Sequence, residues 1–336
     1  MNLKENKYKE FSLIQDMLET TALVKKTAVN SIASFLPYIE KNKIFLTGEG
    51  SSRIFPAKKL IYDALRDNYA EHFVTENATQ ALEYDLTDYT VFVTSNSGKT
   101  KECIRLIHDL KGKDHNNILG VVANPDTPVL NKSNHGHILS CGPEHAVAST
   151  KSVIEQALFY DILFRKKNDH YLPDFIKLGE LIEKVLAMKI PEEIISTVAA
   201  AEIIYFSGRN NGVAEELALK ANEIARKKSE YLEGTYAVHG IEEVMQKNEV
   251  AIIIDPYHQE EEKFKEVLQK GIGLSVFAIA TKQTIFPTII IPEFGDFNPY
   301  LELIVGWNLL VEIGLRNGID LDKPARARKI GNEFLE

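Results

Sequence analysis

Twice in this chain an apolar, aromatic-rich run ends in a hydroxyl, a glycine and a polar turn before helical spacing begins. The two copies are Ile44-Phe-Leu-Thr-Gly48-Glu-Gly50 and Ile204-Tyr-Phe-Ser-Gly208-Arg-Asn. A duplicated strand, turn and helix start constrains the fold strongly, since each copy calls for a parallel sheet covered by helices. The remaining pattern agrees. Continuous apolar runs, the mark of strands buried on both faces, fall at 43–47, 89–94, 118–123 and 137–140 in the first half. In the second half they fall at 203–207, 250–255, 275–280 and 288–291, with amphipathic stretches between them. Longer helices are expected near 149–166 and 173–189, the latter leading to Pro191. The expected fold is α/β, a tandem pair of α-β-α sandwiches. An N-terminal helical segment would occupy 1–37, the first domain 38–170, a helical linker 171–190 and the second domain 191–336.

With 336 residues, the chain can build two real cores. A formal net charge of -9 and a pI near 5.6 argue against a broad nucleic-acid footprint, so any anion site must be local. The helical stretch near 8–40 is too short, and too unlike a helix-turn-helix domain, to be a DNA-binding head. Residues 1–10 are charged and lack the apolar run of a secretory signal, and no later stretch reaches the length of a membrane span. The two cysteines, Cys103 and Cys141, offer neither a disulfide framework nor metal-ligand spacing, which fits a reducing cytoplasm.

Chemistry concentrates at strand ends. After the run at 89–94 come Ser95, Asn96, Ser97, Gly98, Lys99 and Thr100, and then Ile104, Leu106, Ile107 and Leu110 at helical spacing. A helix N-terminus there would present free N–H groups and a positive dipole end to an anion, with hydroxyls adding donors. An ordinary serine-rich capped turn is the alternative. A Walker A loop is excluded because Val93 stands where its first glycine must be, and Arg53 excludes a dinucleotide loop starting at Gly48. Ser51 and Ser52 form a second hydroxyl-bearing turn. Ser149, in Val147-Ala-Ser-Thr-Lys151, lies at a third junction, where it could simply cap the following helix. Three such loops in one half-chain suit a sugar phosphate.

In the second half, Glu216, Lys220 and Glu223 recur at i, i+4 and i+7, on one helix face. A solvated ion pair is the plain reading. His239 follows in a loop beside Gly240. A carboxylate and a histidine together offer a base for a carbon-bound proton and an acid to open a sugar ring, the two tasks of aldose–ketose interconversion.

These motifs, with the ending Asp320-Leu-Asp322-Lys-Pro324 to Lys329, resemble the isomerase half of glutamine:fructose-6-phosphate amidotransferase, a tandem pair of sugar isomerase (SIS) domains. Order and spacing agree over roughly residues 10–336. The resemblance implies that Ser95, Asn96, Ser97 and Thr100 bind the sugar phosphate with Ser51 and Ser52 beside them. Ser149 would contact sugar hydroxyls and Lys220 would support the site. Glu223 would move the proton between C1 and C2, His239 would open the ring, and Lys329 would form a Schiff base with a ketose carbonyl. It further implies a homodimer in which His239 serves the neighbouring subunit's site, and it calls for no metal or cofactor.

The departures are specific. Asn96 stands in place of a glutamine, Lys99 of a glutamate and Ile241 of a proline, and no N-terminal cysteine nucleophile precedes the pair. Glutamine-dependent synthesis is therefore not expected of this chain alone. Stand-alone relatives of similar length include fructosamine 6-phosphate deglycases, glucosamine-6-phosphate deaminases and aldose–ketose isomerases. A sugar-phosphate sensor without turnover is the alternative in another class.

Overall fold

A computed structural model describes residues 1–326, which form two compact units. One comprises Ala22–Lys177; the other joins Met1–Thr21 to Leu178–Pro324.

The first unit holds a five-stranded parallel sheet of β1 (Lys43–Gly48), β2 (His72–Asn77), β3 (Tyr89–Ser95), β4 (Ile118–Val122) and β5 (His135–Ile138), in the order β2-β1-β3-β4-β5. Helix Lys101–Gly112 buries Cys103, Ile104, Leu106, Ile107 and Leu110 against Val91, Val93 and Ile118, as its spacing predicts. Helix Lys151–Lys167 is buried along almost its whole length. Helix Ile54–Arg66 joins it through a fully buried charge network, in which Lys59 Nζ donates to Asp63 at 2.8 Å and to Asp161 at 2.7 Å. Arg165 reaches the same Asp63 carboxylate at 3.1 Å. Burial opposes the charge on Lys59, yet the two carboxylates outweigh it and its pKa is raised.

The second unit repeats this plan. Its strands are β6 (Ile203–Gly208), β7 (Lys228–Glu233), β8 (Val250–Ile254), β9 (Ser275–Ala280) and β10 (Thr288–Ile290), all parallel, in the order β7-β6-β8-β9-β10. The duplication extends to the glycine that ends the first strand of each copy. Gly48 pairs with Thr94 and Gly208 with Ile254; a Cβ would come within 2.6 Å and 2.9 Å of those residues' carbonyl oxygens. The N-terminal segment is tied in at Asp322, whose carboxylate accepts the Ser12 and Leu13 N–H groups at 2.7 and 2.9 Å and so caps helix Ser12–Lys25.

Strands β2 and β7 are absent from the sequence reading, and both are the same edge strand of the repeat. Their sequences, HFVTEN and KSEYLE, are polar, because only one neighbour and partial cover are available at an edge. Strand β5 also begins two residues earlier than its apolar run, at His135.

Candidate active site

In the first sheet the strand order reverses between β1 and β3, and open parallel sheets bind ligands just beyond such a switch point. The Ser51 turn leaves β1 and the 95–100 loop leaves β3, so the topology brings these two hydroxyl-bearing segments together. Ser95 is buried; its Oγ lies 2.7 Å from the Thr100 hydroxyl and accepts the Gly98 N–H at 3.0 Å. Gly98 has φ +66, and a Cβ there would fall 2.2 Å from Thr127 Oγ1, so only glycine lets the loop turn. Ser97 Oγ accepts the Lys99 N–H at 3.1 Å. Asn96, Ser97 and Thr100 are half-buried, whereas Lys99 and Lys101 are exposed. Thr100 stands at the N-cap of helix Lys101–Gly112.

Helix Lys151–Lys167 connects the loops. Gln156 Nε2 donates to Ser52 Oγ at 3.4 Å, and the Tyr160 and Thr94 hydroxyls lie 2.5 Å apart. Ser149 does not cap this helix: Thr150 holds the cap position, and the capping oxygens come from Glu144. Glu144 Oε1 accepts from the Thr150 N–H at 2.7 Å and the Ser152 N–H at 3.4 Å, and Oε2 accepts from the Ser152 hydroxyl at 2.6 Å. The Asn96 amide also donates to Glu144 Oε2, at 2.6 Å. The side-chain amide assigned to the phosphate is therefore bound by a carboxylate, while Ser149 remains half-buried beside the cap.

Glu144 went unread in the sequence. It lies six residues ahead of the cap, outside the spacing of a capping box, and only Gly142-Pro143 before it marks a turn.

The second unit carries the residues expected to do the acid–base work, Glu223 and His239. Lys220 ends helix Val213–Lys220, fully buried, with Nζ 3.3 Å from Glu216 Oε1 and 2.7 Å from Glu223 Oε2. Burial lowers its pKa, but Glu223 and then Glu216 more than reverse this and push it up to about 12. A lysine so firmly charged is a fixed cation, not a nucleophile. Glu223 sits on a π-helical turn, Ala221–Ala225, a geometry often found at functional sites, and its side chain keeps 27% exposure. The single α-helical face expected for the trio thus becomes an α-helix followed by a π-turn, with Lys220 bridging both carboxylates.

His239 is exposed after the short 3-10 turn Tyr236–Val238 and before Gly240, whose φ is +115. Lys263 Nζ donates to its Nε2 at 3.2 Å. Glu223 and His239 are thus held by different lysines on separate elements. Lys329 lies outside the described residues.

A twice-repeated parallel sheet whose strand order reverses at one point defines a doubly wound α/β protein. More particularly, residues 38–166 match the SIS domain family, and the chain has the fold of two tandem SIS domains. No curated protein matches it by sequence. Among solved structures it is similar to tagatose-6-phosphate ketose/aldose isomerase from Escherichia coli, at 17% identity and TM-score 0.80, covering 96% of this chain and 98% of that one. It also resembles the C-terminal domain of glucosamine-fructose-6-phosphate aminotransferase from Francisella tularensis, at 19% identity and TM-score 0.75, with 94% and 98% covered. Glucosamine-6-phosphate deaminase from Thermotoga maritima superposes at 18% identity and TM-score 0.75, with 95% and 99% covered. At these identities the likeness is one of fold.

Proposed function

We propose that this protein is an enzyme that opens the ring of an amino-sugar or fructosamine 6-phosphate and moves a proton between C1 and C2, with release of the amine. In this reading the hydroxyl loops of Ser51, Ser52 and Ser95 to Thr100 take the phosphate, and Ser149 meets sugar hydroxyls. Glu223 is the proton-transfer base, His239 the ring-opening acid and Lys329 the Schiff-base amine. A homodimer sharing His239 across subunits belongs to the same proposal.

The observation that carries it is Glu223, a partly exposed carboxylate on a π-turn, aimed by a buried lysine that Glu216 also grips. A merely structural ion pair has no need of that exposure or that turn. Proton abstraction beside a carbonyl or imine needs a fixed, accessible base, and this geometry supplies one. The test is to incubate the protein with glucosamine 6-phosphate, with fructose 6-phosphate plus ammonia, and with fructosamine 6-phosphates, and to identify products by mass. Conversion of an amine-bearing phosphosugar is expected; no product from the panel would overturn the reading.

A binding protein without turnover is the second reading. It is favoured by the contact of His239 Nε2 with the Lys263 ammonium, which occupies the nitrogen a ring-opening acid would use. Tight sugar-phosphate binding without product would select it.

A further inference from the structure

The π-turn that carries Glu223 ends on Arg226, whose φ is +50. A helix end in the left-handed region is a place for glycine or asparagine, and a bulkier residue is kept there at a cost. The backbone itself closes without help from the side chain, since the Arg226 and Lys227 N–H groups both donate to the Ala221 carbonyl, the latter at 3.1 Å. What calls for an arginine is the guanidinium.

Arg226 Nη2 donates to the Asp320 carbonyl at 3.1 Å and also to the Lys323 carbonyl, so it bridges the turn to a segment 94 to 97 residues later. That segment is held from both sides. Asp320 Oδ1 accepts the Asp322 and Lys323 N–H groups at 3.1 and 3.2 Å, and the Asp322 carboxylate caps helix Ser12–Lys25. On helix Asn298–Arg316, a Cβ at Gly314 would fall 2.8 Å from Leu321 Cδ2, 3.2 Å from the Ile224 carbonyl oxygen and 3.8 Å from Ala225 Cα. The Gly314 carbonyl also accepts the Ile319 N–H at 2.9 Å. The π-turn and the 319–323 segment thus rest on one glycine, and one guanidinium joins them. Glu223 lies inside the turn that Arg226 closes, with Lys220 on its carboxylate at 2.7 Å. A π-turn departs from regular helix, so what holds its ends decides where Glu223 stands. From Lys323 the chain runs on toward Lys329, six residues later.

We propose that Arg226 is a positioning residue. By clamping residues 320–323 to the π-turn, it fixes the Glu223 carboxylate and, with it, the point from which the chain departs toward Lys329. One side chain thereby couples the base to the root of the segment that carries the amine. The inference rests on the roles of Glu223 and Lys329 proposed above.

The test uses the whole protein with Arg226→Gly and Arg226→Asn, which both suit a left-handed helix end and lack the guanidinium. Each should fold, with a melting temperature close to the parent's, because backbone strain is relieved as the clamp is lost. Hydrogen exchange read by mass spectrometry should quicken in peptides covering 221–227 and 320–323 together, with the strands unchanged. On the amine-bearing phosphosugar that the product panel identifies, kcat should fall about 10- to 100-fold while KM stays within about twofold, the split expected of a displaced base and not of a lost binding contact. No product from the parent protein would overturn the reaction, and this role with it. Product from the parent combined with an unchanged kcat in both variants, with exchange that quickens in one segment or in neither, or with failure of both variants to fold would overturn the role of Arg226 alone.

Discussion

At the scale of residues, two carboxylates have opposite duties. Glu223 is accessible, and its partner Lys220 is fixed as a cation, so Glu223→Gln should leave the fold and phosphate affinity intact. General acid–base removal predicts a turnover loss of about 10²- to 10⁴-fold, read as kcat on the substrate that the product panel identifies. Glu144 is closed to solvent and serves geometry: its carboxylate accepts from a helix N-terminus, a serine and the Asn96 amide at once. In Glu144→Gln the new amide must face one of those donors. A cost of roughly 1–3 kcal/mol follows, with a lower unfolding temperature and weaker sugar-phosphate binding, and both can be followed by thermal shift with and without ligand. Glu223 was legible in the sequence because a helix repeats its face every three or four residues. Glu144 was not, since a loop carboxylate that closes back on a cap has no period to reveal it.

Among elements, the duplicated strands decide what can change. The glycine ending β1 lies against the Thr94 carbonyl, so Gly48→Ala should cost about 1–3 kcal/mol through overpacking. It should also shift the Ser51 turn that follows. Chemical denaturation measures the first effect, and phosphate affinity the second. Eight of the ten strands among the described residues stood out in the sequence as apolar runs, and the polar loops at their ends supplied the candidate anion-binding residues. The two that did not, β2 and β7, are edge strands whose half-exposed faces erase the apolar signal. The π-turn at 221–225 was equally silent, because a one-residue widening of a helix leaves its hydrophobic spacing almost unchanged.

For the whole molecule, the buried Glu302 carboxyl makes stability depend on pH in a stated direction. Burial first, and then the Asp255 charge, raise its folded-state pKa to about 8, above the ordinary carboxylate value of 4.5, so the native chain holds a proton that the unfolded chain releases between those two values. Its contribution is full below the lower value and falls by about 1.4 kcal/mol per pH unit until pH 8, then stays level. Urea denaturation across pH 5 to 9 should show this slope in the parent protein, and E302Q should remove that component. Both halves share one strand order, but they do not share one electrostatic character. At its switch point the first carries serine and threonine hydroxyls; the second sets Arg209 against the Asp255 carboxylate.

The carboxylate of Glu144 also bears on how ligands for the first switch point should be chosen. The N-terminus of helix Lys151–Lys167, which would otherwise be the natural berth for another negative group, is already filled by the protein's own side chain. A bisphosphate extended toward that helix should gain nothing over a monophosphate, whereas a neutral hydroxyl reaching Ser149 would avoid the repulsion.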